Sequence, residues 1–341
     1  MTVVGPLGLS VQDQALEADV HFGLAAIEEA LYEATKSDVS FITVTAKHLT
    51  EAGGKRFRPL LVLLAAQFGD PNAPGVIPSA VVVELTHLAT LYHDDVMDEA
   101  HMRRGTVSAN ARWDNSVAIL TGDFLFSRAS KILSTLGPEA VRIQADAFER
   151  LVTGQIQETA GPLPGEDPVQ HYLDVLSGKT GSLMAVSVHF GALLAGADEQ
   201  VVDVLTQYGE RIGIAFQLAD DILDIASDSE ESGKTPGTDL REGIPTLPVL
   251  LLRASEPDPT VPGDLRLREL LDTGFDPSLP DADARHAEAL GLLRAHPALA
   301  RAREDTLRYA EAARGLLAPL PDCPAKSALE GLCDAVALRT M

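Results

Sequence analysis

Cysteine is nearly absent from the 341-residue chain, which holds only Cys323 and Cys333, both near the C-terminus. Two thiols make neither a disulfide scaffold nor a metal site without other ligands, so both are read as reduced core residues. Basic residues are scarce as well. Lys and Arg number 27 against 50 Asp and Glu, and the resulting net charge of −23 repels nucleic acid and anionic headgroups, which excludes binding either one through a general basic surface. A polyanionic substrate would need a local cationic pocket. Long apolar runs are also missing: the most continuous, Leu183 to Leu194, contains His189 and gives way to Gly196, well short of the ~20 residues a bilayer requires. No transmembrane helix is expected. The chain does not open on a basic stretch followed by an apolar run, so no secretory signal is read and a cytoplasmic location is the expectation.

What is present suits a helical globule. Hydrophobic residues make up 45% and charged residues 23%, enough apolar material for an extended core in one large domain or two small ones. Apolar positions recur at spacings of three and four, as in Leu16, Val20, Leu24, Ile27 and Leu31, or Leu299, Ala302, Thr306, Tyr309 and Ala313, while period-two alternation is scarce. The pattern is all-α. It predicts helices over 12–35, 39–52, 56–68, 76–98, 114–135, 138–159, 168–195, 199–227, 240–254, 284–317 and 324–338. Breaks fall at the Gly and Pro clusters of Gly69–Gly75, Gly161–Pro168 and Ser232–Gly237. Between about 256 and 283, Pro257, Pro259, Pro262, Pro277 and Pro280 argue for a surface insertion or mobile segment with a short helix near Leu265–Leu271.

One pentapeptide pattern occurs twice, as Asp94-Asp95-Val96-Met97-Asp98 and Asp220-Asp221-Ile222-Leu223-Asp224. On a helix the first and last Asp of each copy lie one turn apart on one face, giving two stacked carboxylates that repel unless a cation neutralises them. Hard oxygen donors select Mg²⁺ or Mn²⁺, and Mg²⁺ readily takes its remaining ligands from water and phosphate. The competing reading is a pair of solvated acidic faces in an acidic protein. Against it, Thr86–Tyr92 and Ile212–Leu218 are largely apolar, so each cluster ends a buried helix, where acid opposes the helix dipole.

The few basic residues gather near these acids. Gly53-Gly54-Lys55-Arg56-Phe57-Arg58-Pro59 puts glycines and cations before a helix start, Arg103-Arg104-Gly105 follows the first cluster, Lys179-Thr180-Gly181 sits at an expected helix break, and Gly233-Lys234 follows the second cluster. Acid pairs beside Arg and Lys suit a metal-bound diphosphate whose charge grows as it leaves.

With these segments, and with His87, Gly122-Asp123 and Phe216-Gln217, the chain resembles the trans-type polyprenyl diphosphate synthases from about Leu16 to its C-terminus. The resemblance implies the isoprenoid synthase fold, a single helical bundle over 1–341 around a central cavity, with the two aspartate motifs facing each other at its mouth. It implies Mg²⁺ at Asp94, Asp95, Asp98, Asp220, Asp221 and Asp224, with Asp94, Asp98 and Asp220 as direct ligands. Isopentenyl diphosphate would meet Lys55, Arg58, His87 and Arg104; an allylic diphosphate would meet Arg103, Lys179, Thr180, Gln217 and Lys234. The implied reaction ionises the allylic C–O bond, lets the isopentenyl double bond attack the carbocation, and ends with proton loss to the released diphosphate. A homodimer through helices near Val117–Leu133 is implied too, with a lipid product available for delivery to a membrane. One departure stands at Ile244, where many relatives carry Lys.

Upstream of Asp94, Ala89 and Thr90 are small where short-chain relatives carry bulky aromatics. A medium- or long-chain product is therefore expected, with Phe124 and Phe126 on the next helix as candidate floor residues; the alternatives are a product of geranylgeranyl length, or small residues that merely allow close helix packing. A terpene cyclase would need a different second motif, and a di-iron bundle two Glu-x-x-His pairs where only Glu84-Leu85-Thr86-His87 occurs. A non-catalytic partner subunit is the remaining alternative.

Overall fold

The computed structural model describes residues 13–227, 236–275 and 281–339. Its helices are α1 (Gln14–Ala34), α2 (Ser40–Glu51), α3 (Phe57–Ala66), α4 (Val76–Met97), α5 (Ala109–Arg112), α6 (Asn115–Leu133), α7 (Pro138–Ala160), α8 (Pro168–Leu176), α9 (Ser182–Leu194), α10 (Glu199–Ala226), α11 (Thr238–Glu242), α12 (Leu247–Ala254), α13 (Asp264–Thr273), α14 (Ala282–Ala295), α15 (Pro297–Leu316) and α16 (Pro324–Leu338). A hairpin of β1 (Met102–Arg103) and β2 (Thr106–Val107) is the sole sheet among the described residues. The all-α expectation holds.

Local chemistry starts several helices where the sequence places a cap. Asp13 accepts from the Ala15 and Leu16 N–H groups at 3.0 and 2.9 Å, Asp114 from Val117 at 2.8 Å, and Asp167 from Val169 at 2.9 Å, with Pro168 supplying the preset first helical φ.

The chain forms two compact units. The first comprises Met1–Leu151, Ser182–Glu210 and Leu316–Leu332. Its core centres on α4, which packs against α1, α3, α6 and α9; Ile27, Leu60, Leu64, Leu85, Leu88, Tyr92, Leu125 and Phe190 are fully buried. Small residues permit the close approaches: a Cβ on Gly191 would strike the Val62 carbonyl, and one on Gly122 would strike the His93 ring. The second unit comprises Val152–Gly181, Arg211–Gly315 and Cys333–Met341. Its core gathers Leu218, Ile222, Leu252, Leu267, Leu270, Leu293 and Leu299.

Several boundaries differ from the periodicity reading. The expected helix over 168–195 has no break at Lys179; a π turn, Ser177–Gly181, joins α8 to α9 without interruption. The helix expected over 240–254 is two, because Gly243 adopts φ +74° and Pro245 follows in the linker before α12. The helix expected over 284–317 is also two, divided at His296, whose extended backbone precedes Pro297. The proline-rich 256–283 stretch carries α13 where a short helix was expected, and that helix buries Leu267 and Leu270 in the second core. Both cysteines are free, Cys333 fully buried and Cys323 half-buried. Among the described residues no helix is long and apolar enough to cross a membrane.

Candidate active site

In the first unit the apolar length of α4 carries Asp94 and Asp95 to its last turn, and Asp98 is its C-cap, its N–H bonded to the Asp94 carbonyl at 2.8 Å. Asp94 is half-buried and Asp98 exposed, whereas Asp95 is fully buried. Burial raises the Asp95 pKa, partly offset by Arg103, whose Nε donates to Oδ1 at 2.5 Å. The other Asp95 oxygen has no protein partner. Arg103 also reaches Asp98, at 3.9 Å.

The Arg103-Arg104-Gly105 motif forms the hairpin. Arg103 pairs with Thr106, and the two turn residues, Arg104 and Gly105, both take positive φ, +52° and +75°. A left-handed arginine costs roughly 1 kcal/mol. The turn sends neighbouring arginines to different anchors: Arg103 to Asp95, and Arg104 to the carbonyls of Leu49, at 3.1 Å, and Gly53. Gly54 lies against the Arg104 guanidinium, where a Cβ would collide.

Behind this loop Glu84, 1% exposed, pairs with Arg56 at 3.1 Å and lies 4.0 Å from Arg104. Arg56 also binds Glu28 and donates to the Thr50 carbonyl at 3.1 Å. Arg58 projects a buried Nε with no protein partner; burial pushes its pKa down to about 10, with Glu84 opposing and Arg104 reinforcing the shift. His87 is held well below the usual imidazole range by burial and by Arg58, Arg104, Arg103 and Arg56. It is neutral at pH 7, a hydrogen-bond donor rather than a cation. Lys55 is exposed. The structure thus brings Asp94, Asp95, Asp98, Arg58, His87, Arg103 and Arg104 into one unit. Sequence reasoning missed Arg56 and Glu84 as anchors, although a lone carboxylate after Val81-Val82-Val83 was a signal, since buried charge needs a partner.

In the second unit α10 carries Asp220, Asp221 and Asp224. Asp220 accepts from Arg339 Nη2 at 2.6 Å. Asp224 accepts from the Thr238 and Asp239 N–H groups, both at 3.2 Å, and so caps α11. Asp221 is buried and accepts from the Tyr172 hydroxyl and from Gln217 Nε2 at 2.9 Å. Burial raises its pKa to about 6 against those two hydrogen bonds. Thr180, in the π turn, donates to Gln217 Oε1 at 3.3 Å, and Lys179 pairs with Glu158 at 2.6 Å. π turns recur at functional sites. Lys234 lies outside the described residues.

No three His, Cys, Asp or Glu among the described residues gather to enclose a metal by themselves. The carboxylates of Asp94 and Asp98, one turn apart at a helix end beside cations, fit an ion that completes its shell with water and phosphate oxygens, as Mg²⁺ does.

Of the candidate chain-length residues, Ala89 is fully buried and Thr90 half-buried, its hydroxyl bonded to the His87 carbonyl at 2.8 Å. Phe126 packs on His93 and Phe148, ring centroids 5.7 and 4.7 Å apart, and Phe124 lies under Arg128 at 4.9 Å. Ile244 is 43% exposed after Gly243.

Comparison with known proteins follows the same lines. Residues 39–265 match the family model described as polyprenyl synthetase. The chain is 48% identical to nonaprenyl diphosphate synthase of Mycobacterium tuberculosis (strain ATCC 25618 / H37Rv), over 96% of its length and 95% of the relative's. It is 42% identical to heptaprenyl diphosphate synthase component 2 of Geobacillus stearothermophilus, over 68% of this chain and 73% of the relative. The crystal structure of geranylgeranyl pyrophosphate synthase from Corynebacterium glutamicum, complexed with calcium and isoprenyl diphosphate, shares the fold with TM-score 0.85 and 44% identity, covering 97% of this chain and 99% of that one. The chain belongs to the polyprenyl synthetase family and is a prenyltransferase of the polyprenyl diphosphate synthase type.

Proposed function

We propose that this enzyme condenses an allylic diphosphate with isopentenyl diphosphate, repeatedly, to make a medium- or long-chain all-trans polyprenyl diphosphate, with Mg²⁺ as its metal and the cytoplasm as its place of action. The observation that carries the reading is the cationic group of Arg58, Arg103 and Arg104 with neutral His87, in the same unit as Asp94 and Asp98. Arg58, with Lys55, Arg104 and His87, would hold the isopentenyl diphosphate; the partnerless Arg58 Nε is a donor awaiting an anion. Arg103, Lys179, Thr180, Gln217 and Lys234 would hold the allylic diphosphate.

Asp94, Asp98 and Asp220 would hold Mg²⁺, which when bound supplies charge neutralisation of the leaving diphosphate. As the allylic C–O bond opens, Arg103 and Lys179 take up the negative charge of the departing group. The released diphosphate accepts the final proton, since His87, ringed by arginines, is too weak a base. The residues of 1–341 act as one catalytic domain, and two copies pair through α6, where Ile119 and Leu120 are 42% and 66% exposed.

Relatives of this chain carry names for several product lengths. The nonaprenyl relative and the small Ala89 and Thr90 favour the longer product. Incubating the purified chain with farnesyl and isopentenyl diphosphates and weighing the product by mass spectrometry tests this. A product stopping at geranylgeranyl length overturns the long-chain reading, and no incorporation by the chain alone favours a partner-subunit role, to which the component-2 relative draws notice.

A further inference from the structure

Tyr172 lies outside every segment that carries the family resemblance, yet it is tied to the second aspartate motif. Its hydroxyl donates to Asp221 Oδ2. A phenol hydroxyl has one proton to give, and Asp221 receives it. Gln217 Nε2 donates to the other Asp221 oxygen at 2.9 Å. Both oxygens of a carboxylate only 7% exposed are therefore bonded to protein donors. The orientation of Gln217 follows: facing a carboxylate it presents its amide nitrogen, which turns Oε1 toward the Thr180 hydroxyl at 3.3 Å. Tyr172, Asp221, Gln217 and Thr180 form one chain of hydrogen bonds ending in the π turn, and every member is in the second unit.

We propose that Tyr172 is a positioning residue for the allylic diphosphate, fixing Gln217 and Thr180 through Asp221, and that Asp221 acts through this chain rather than as a metal ligand. The inference rests on the function proposed above. It assigns different work to neighbouring carboxylates: Asp220 would hold the metal, whereas both oxygens of Asp221 are taken by protein donors.

The test compares full-length wild type with Tyr172→Phe, Asp221→Asn and Asp220→Asn. Mn²⁺ binding in the presence of inorganic pyrophosphate, read by electron paramagnetic resonance, is expected to be unchanged in Tyr172→Phe and Asp221→Asn and weakened about tenfold or more in Asp220→Asn. In turnover, Tyr172→Phe and Asp221→Asn should each raise KM for the allylic diphosphate about tenfold, leave KM for isopentenyl diphosphate unchanged, and add nothing further when combined. Loss of Mn²⁺ binding in Asp221→Asn equal to that in Asp220→Asn overturns the proposal. So do multiplying effects in the double variant, or equal shifts in both KM values. If Tyr172→Phe fails to fold, Gln217→Leu carries the same measurements from the other end of the chain. The metal arm needs no turnover, so a wild type that incorporates no isopentenyl unit refutes the proposed function while the Asp221 comparison still decides this inference.

Discussion

Arg339, near the end of the chain, sets its guanidinium 2.6 Å from Asp220 and stacks over Phe216 at 5.1 Å. The carboxylate proposed as a metal ligand in the second motif therefore already holds a cation from its own polypeptide. Arg339→Gln is expected to lower the Mn²⁺ concentration needed for half-saturation about threefold, as suits a partly exposed ion pair. Titration followed by electron paramagnetic resonance measures it, and weaker binding in the variant would mean that Arg339 does not compete with the metal.

Glu84 neutralises Arg56 and lies near Arg104 from a fully buried position. Removing one partner of a buried pair strands the other, so Glu84→Ala should lose about 3–5 kcal/mol of stability in urea unfolding. Glu84→Gln, which keeps an acceptor for Arg56, should lose less. Equal losses would show that charge, not hydrogen bonding, holds the arginines.

The depressed pKa of His87 has a definite sign in stability. Burial and the surrounding arginines keep the folded imidazole neutral, so below the ordinary value of 6.5 the unfolded chain takes up a proton that the folded one refuses. Stability from this group is complete above that pH and falls as pH drops toward the folded value. The urea midpoint difference between wild type and His87→Gln should therefore shift against wild type between about pH 7 and about pH 5.

Ala89 is fully buried on α4, and Gly122 of α6 faces its carbonyl closely. If the Ala89 side chain borders the path of the growing tail, Ala89→Phe shortens the product by one or more isoprene units with little change in turnover of the first condensation. If Ala89 serves only helix packing, the variant loses stability, typically by about 1–3 kcal/mol, and keeps its product length. Mass spectrometry of the product, paired with thermal melting, separates the two.

The long amphipathic helices and both aspartate motifs were legible because their signals are local: periodicity for α1 and α4, repeated acid for Asp94 and Asp220. Breaks at Gly243 and His296 were hidden because the apolar spacing continues across them while the backbone does not. The hairpin was invisible, as two-residue strands carry no alternation. In the site, residue types identified the cations, but their hierarchy was beyond sequence. Arg103 and Arg104 are neighbours with different partners because the turn between strands separates them, and Asp95 and Asp221 are buried because of where each falls on its helix, one position beyond the more exposed Asp94 and Asp220.

The π turn at Ser177–Gly181 makes the length of this stretch a fixed quantity. It accommodates an extra residue within a continuous helical run, and deleting one residue there would restore ordinary winding while turning Tyr172 by about 100° around the helix relative to Thr180. Tyr172 and Thr180 would then no longer both reach the face of α10 that carries Asp221 and Gln217. Substitutions can be absorbed in this stretch more readily than a single-codon insertion or deletion, and homologous chains that keep the same hydrogen-bonded arrangement should keep its residue count.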